Sequence, residues 1–81
     1  MDSQLYTARD WRVIKARLRL SPRQLQIAKL VCKSYSIQEM ASAMRVSPHT
    51  IQMHMKCLFK KLEAHDRVGV VVKIVLAAPR K

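Results

Sequence analysis

Residues 37–56 read IQEMASAMRVSPHTIQMHMK, and two helices joined by a tight bend follow from that string. Ser36 stands just ahead of it with Glu39 three residues on, a capping box in which hydroxyl and carboxylate satisfy backbone N–H groups that a helix start leaves open. Ser47-Pro48 repeats the signal in another form, a capping hydroxyl followed by a proline at the first helical position, where the missing N–H costs nothing. Helices are therefore predicted over 36–44 and 48–62. Met40, Met44, Val46 and Ile51 supply the apolar positions that lock their crossing, and Ala41 is small where the two would approach most closely. This is the helix-turn-helix pattern, whose first helix crosses a DNA backbone while the second enters the major groove.

The second helix carries the chemistry. Along VSPHTIQMHMKCLFKKL, residues 46–62, an apolar stripe of Ile51, Met55, Leu58 and Leu62 is widened by Phe59. His49, Met53, Lys56 and Lys60 lie roughly opposite, with Gln52 at the edge. No acid occurs between Met40 and Leu62. An ordinary solvated face mixes both signs and rarely displays a methionine. A face that reads DNA needs cations for phosphate, an amide for adenine edges and an apolar contact for thymine methyls.

Working outward, Ser21-Pro22 starts a further helix, with Gln24 completing a capping box and Leu20 placed as a hydrophobic staple to Leu25. From Pro22 to Lys33 the surface is apolar nearly all round, which assigns this helix to the middle of the domain. Residues 8–19 give a weaker helix with Trp11, Ile14 and Leu18 on one side. Asp66 caps a last helix running to about Ala77. The β-branched run VGVVV, residues 68–72, favours a strand by propensity, but a single strand would have no partner here, so helix is expected. The predicted fold class is all-α.

Composition agrees with a nucleic-acid partner. Sixteen Lys and Arg against five Asp and Glu give a net charge of +11 on 81 residues, which points to a polyanion, nucleic acid ahead of an anionic membrane. The charge runs along the chain and is not a detached tail: eight cations fall in residues 9–33, with Asp10 the one acid among them. Two cysteines, Cys32 and Cys57, do not make a disulfide scaffold and fit a reducing cytosol as core or boundary thiols. His54 and Cys57 share a face at i, i+3, too few ligands for zinc, so no metal and no cofactor is expected. The opening residues do not read as a secretory leader, and residues 68–78 are too short to span a bilayer and are broken by Lys73. No catalytic constellation is present, so an enzyme is not expected.

Residues 20–75 are similar to the LuxR-type (GerE-like) DNA-binding domain of bacterial transcription regulators, on the elements LSPRQ, SIQEMA, VSPHTIQMH and KKL followed by Arg67. The resemblance implies a four-helix helix-turn-helix domain over residues 20–78, preceded by an extension at 1–19 with a short extra helix and followed by a basic tail at 79–81. It carries base reading to Gln52, Met53 and Lys56, and phosphate contact to Arg23, Thr50, Lys60 and Arg67. It also implies double-stranded DNA as the ligand, a bacterial cytoplasmic, nucleoid-associated location, and a larger regulator or RNA polymerase as further partners. Three positions where the family usually has glycine carry Ser34, Arg45 and Glu63, and Gln24 replaces the family's usual acid. A side chain at a left-handed turn costs about 1 kcal/mol, so those turns are expected to be strained or rebuilt.

The last helix in the resemblance commonly forms the dimer contact. Here Val68, Val71, Val72 and Val75 recur at helical intervals as a dimer stripe, leaving Val70, Ile74 and Leu76 to pack on the domain. The expected function is a stand-alone, homodimeric, sequence-specific regulator, set by abundance or by a partner because no receiver domain precedes the motif. The alternative is an interaction module that heterodimerises with a larger regulator of the same type and modulates its DNA binding.

Overall fold

Five helix starts are written into the chain as side-chain caps, and each is made. In the computed structural model, which describes residues 6–79, the helices are α1 (Ala8–Leu18), α2 (Pro22–Cys32), α3 (Ile37–Met44), α4 (Pro48–Leu62) and α5 (Arg67–Ala77). Ser21 and Gln24 form the expected box, Ser36 and Glu39 a second. Ser47 Oγ accepts from the Thr50 N–H at 3.1 Å, and Asp66 Oδ1 from the Gly69 N–H at 2.8 Å. A third box, Thr7 with Asp10, starts α1 and was not anticipated. The valine-rich run is helical: its β-propensity is overridden by burial of one face. All described elements are helices, and the all-α expectation with an added N-terminal helix holds. Residues 1–5 of the extension, and Arg80 and Lys81 of the basic tail, lie outside the described residues.

The helix ends explain how a chain with one glycine turns four corners. Arg19, Ser34, Arg45 and Glu63 all have left-handed backbone, with φ of 56°, 62°, 58° and 54°. The last three are the positions where strain was expected. In each case the next residue donates its N–H to a carbonyl five residues back: Leu20 to Lys15, Tyr35 to Leu30, Val46 to Ala41, Ala64 to Phe59. Leu20 is itself buried, and Tyr35, Val46 and Ala64 pack against the core. The Schellman hydrogen bond and an apolar residue just past it offset the left-handed cost. The single glycine, Gly69, sits instead inside the first turn of α5, where a Cβ would stand 3.1 Å from that of Ala64.

Helix α2 is the middle of the molecule, as its apolar surface predicts: it packs on both α4 and α5. Helix α3 packs on α4, and α1 lies on α5. Ile14, Ile27, Met40, Ile51, Leu58, Val70 and Ile74 are fully buried, each aliphatic side chain contributing about 1.5–3 kcal/mol relative to exposure. Ala41 is buried where α3 meets α4, and the helix-turn-helix is thereby set. The extra helix is firmly seated. Trp11 is 8% exposed, meets the Tyr6 ring edge-on at 5.5 Å between centroids, and has Lys29 Nζ 5.9 Å from its own ring centroid. Arg17 of α1 donates to the Ala77 carbonyl at 3.0 Å, a cation at the C-terminus of α5.

One packing expectation is corrected. Leu76 does not face the core; it is 75% exposed, and Ala77 takes the buried place after Val70 and Ile74. The helical repeat explains it: two residues past Ile74 is a turn of about 200°, which puts Leu76 on the side of Val72 and Val68.

Candidate nucleic-acid interface

Helix α4 presents two faces that differ in kind. Ile51, Met55, Leu58 and Leu62 are buried, with Phe59 partly so. His49, Gln52, Met53, Lys56 and Lys60 are all exposed. Met53, at 52% exposure, is the one exposed large apolar side chain of that helix, whereas Met40 and Met55 fill the core and Met44 packs against it. The outward face is therefore the mixture of amide, thioether and cations drawn from the sequence.

Three of the residues singled out in the sequence converge. Gln52, Lys56 and Arg67 line a groove of about 470 Å³ whose apolar lining is Ile37, Met55 and Phe59. His65 and Asp66 from the α4–α5 turn complete it. Arg67 is partly committed: its guanidinium donates to the Tyr35 carbonyl and so ties the first turn of α5 to the α2–α3 turn. That hydrogen bond spans a gap of 32 residues and had no signal in the sequence. Arg67 thus has a backbone partner, while Gln24, expected to leave Arg23 without an acid, accepts from the Ser21 N–H at 2.9 Å.

The remaining phosphate candidates do not line this groove. Lys60 is exposed one turn beyond Lys56, and Arg23 is exposed in the first turn of α2. Thr50 is half-buried, with its hydroxyl 3.0 Å from that of Ser47 at the start of α4. Neither Arg23 nor Thr50 lines the groove.

Cys57 is a residue the sequence reading placed wrongly. It is exposed, one position after Lys56 and one turn from Met53, and belongs to the polar side of α4. Counting four residues on from Met53 would have found it. Cys32 is the boundary thiol that was expected, half-buried, and burial pushes its thiol pKa up. His54, three residues before Cys57 in α4, is half-buried. Among the described residues no three His, Cys, Asp or Glu side chains gather as a metal site.

Helix α5 offers a second exposed surface, apolar in character. Val68 is 70% exposed, and Val72 and Val75 are close to half exposed, with Leu76 continuing the stripe. Val71, expected in the same stripe, is half-buried and packs against the core at its edge. No helix among the described residues is long and apolar enough to cross a membrane.

Comparison with known proteins gives the chain a family. The profile of the luxR family of bacterial regulatory proteins (GerE) matches residues 18–74. The response regulator protein VraR of Staphylococcus aureus (strain NCTC 8325 / PS 47) is 38% identical over 53 residues, which cover 65% of this chain and 25% of that protein. The proteins of the same name from Staphylococcus saprophyticus and Staphylococcus epidermidis match to the same extent. The chain thus spans about a quarter of the length of the curated relatives it matches. No solved structure matches it significantly.

Proposed function

From the premise that the chain belongs to the luxR family of bacterial regulatory proteins, DNA-binding transcription regulators, we propose that it binds double-stranded DNA sequence-specifically as a dimer. Helix α4 enters the major groove, with Gln52, Met53 and Lys56 reading base edges. Lys60, Arg23, Thr50 and Arg67 contact phosphates and fix the register. The observation that carries this reading is the exposed face of α4, which presents an amide, a thioether and two lysines and no carboxylate. Such a face suits binding, not catalysis.

One recognition helix touches too few base pairs to single out a site in a genome. Two helices set about 34 Å apart would read successive major grooves. The exposed stripe of α5, Val68, Val72, Val75 and Leu76 with Val71 at its edge, supports the dimer that would hold that spacing. The closed core and the five capped helices support folding and DNA binding by this unit alone. Selection of bound sites from a random duplex pool tests the reading: a two-fold site with half-sites one helical turn apart is expected. Recovery of sequence at random would sink specificity, and a single half-site would sink the dimer. Should sedimentation show a monomer that pairs only with a larger regulator of the same type, the heterodimeric reading replaces it.

A further inference from the structure

The extra helix carries a charge pattern that the reading above leaves unused. Helix α1 covers residues 8–18, and the family match begins only at residue 18. Arg9 and Arg12 are exposed in one sector of the helix with Ala16 between them in angle, and Arg19 is exposed at its left-handed C-cap. Lys15 borders that sector and is partly buried. Arg17 stands apart, engaged with the Ala77 carbonyl.

Among the described residues, carboxylates do not interleave with these arginines. Asp10, the one acid of the helix, is buried in the capping box with Thr7. The other acids among the described residues are Glu39, Glu63 and Asp66, in α3 and the α4–α5 turn, and Glu39 and Asp66 serve as caps. Solvated helices commonly place acids three or four residues from their cations, which stabilises them; α1 forgoes that on its outer side.

This basic sector is rigid, not a tail. Trp11 and Ile14 are buried beneath it, the capping box fixes the start of α1, and Arg17 ties its last turn to the end of α5. The sector belongs to a helix that does not pack substantially on α4. Helix α1 packs on α5, and its Trp11 reaches Lys29 of α2, while α4 packs on the same two helices. Helices α1 and α4 thus lean on the same two helices without packing substantially on each other.

We propose that α1 is a second DNA-contacting surface, binding the phosphate backbone of a duplex other than the one held by α4. Planar guanidinium groups suit phosphate oxygens bidentately. From Arg9 to Arg19 the helix rises roughly 15 Å, over which one strand of a duplex passes about four phosphates. Ala16 in the middle of the sector lets the helix approach the backbone closely. The contact is independent of base sequence, because no amide or apolar reader stands among the arginines. The protein so equipped holds two duplexes side by side.

The proposal rests on DNA binding through α4, and the test separates the two. An immobilised duplex bearing the selected site is loaded with protein, and capture of a second, fluorescent duplex of unrelated sequence is measured beside single-duplex affinity. The wild-type chain captures the second duplex. Combined Arg9→Gln, Arg12→Gln and Arg19→Gln should lower capture at least about tenfold, from the loss of three phosphate contacts, while site affinity stays within about threefold. The matching triple Arg→Lys variant, which keeps the charge, should retain most of the capture. Lys56→Ala with Lys60→Ala should lose the selected site yet still bind random duplex through α1, weakly and with strong salt dependence. Absence of capture by the wild type, or equal capture by the glutamine variant, overturns the proposal and leaves the α4 reading standing. Parallel loss of capture and site affinity in the glutamine variant also overturns it, by placing α1 on the same duplex as α4. Loss of site binding in the α4 variant with no random-duplex binding left would do the same.

Discussion

Lys56 and Lys60 stand one turn apart on the exposed side of α4, yet they are assigned different work. Lys56 shares its groove with Gln52 and Arg67, where a base edge would lie; Lys60 lies outside it. Lys56→Ala should therefore cost about 1–3 kcal/mol on the preferred site and relax the preference at one base position. Lys60→Ala should weaken all duplexes nearly alike and flatten the dependence of affinity on salt. Titrations of matched and single-base-substituted duplexes distinguish them; a uniform loss in both variants would refute base reading by Lys56. The two thiols make a second contrast at this scale. Burial raises the Cys32 pKa and so lowers its thiolate fraction at neutral pH, whereas Cys57 is exposed. A maleimide at neutral pH should label Cys57 first, with Cys32 following only slowly, as the mass of partly labelled protein will show. Label on Cys57, beside Met53 and Lys60, should also impair DNA binding; equal labelling rates would refute the burial argument.

Helix α5 shows what can be read from a sequence at the scale of an element and what cannot. Its start at Asp66 was legible, as were those at Ser21, Ser36 and Ser47, because a cap is a contact between residues three apart. Its two-sidedness was legible from periodicity, but Leu76 was assigned to the wrong side by grouping it with Ile74 across a two-residue step. The Arg67–Tyr35 and Arg17–Ala77 hydrogen bonds were not legible at all, since they join residues 32 and 60 apart and depend on how helices are already packed. For the exposed side, Val72→Glu should abolish dimerisation and cooperative binding to a two-fold site while helicity stays near wild type. Ile74→Ala, on the buried side, should destabilise the fold by about 2–5 kcal/mol. Sedimentation with far-UV dichroism tests both; an unfolded Val72→Glu protein would make the stripe part of the core. The corners between elements invite the opposite experiment. Glu63 is left-handed and places an acid at the C-terminus of α4, so Glu63→Gly relieves backbone strain and an unfavourable dipole contact together. A gain of up to about 1 kcal/mol is expected, or a melting temperature roughly 4–8 °C higher for a domain of this size.

The whole molecule carries a net charge of +11 on 81 residues, and this sets stability and binding against each other. Self-repulsion among the cations opposes the compact state and is screened by salt. Added salt should therefore raise the melting temperature of the free protein while it weakens the complex with duplex DNA, where each phosphate contact releases counterions. Melting curves with and without duplex, between low and moderate ionic strength, should converge as salt rises; a free protein indifferent to salt would refute the repulsion argument. One other global property follows from the hydrogen bond between Arg17 and Ala77. It holds the end of the first helix against the end of the last, so the chain path nearly closes into a ring. Ala8 lies only one short helix, roughly 14 Å of rise, from that clasp. A flexible bridge of about eight to ten residues could join Ala77 to Ala8, and new ends could then be cut at the exposed Ser34 corner between α2 and α3. Such a circular permutant should keep its architecture, which makes the unit suited to insertion within a surface loop of a host protein as well as to fusion at an end.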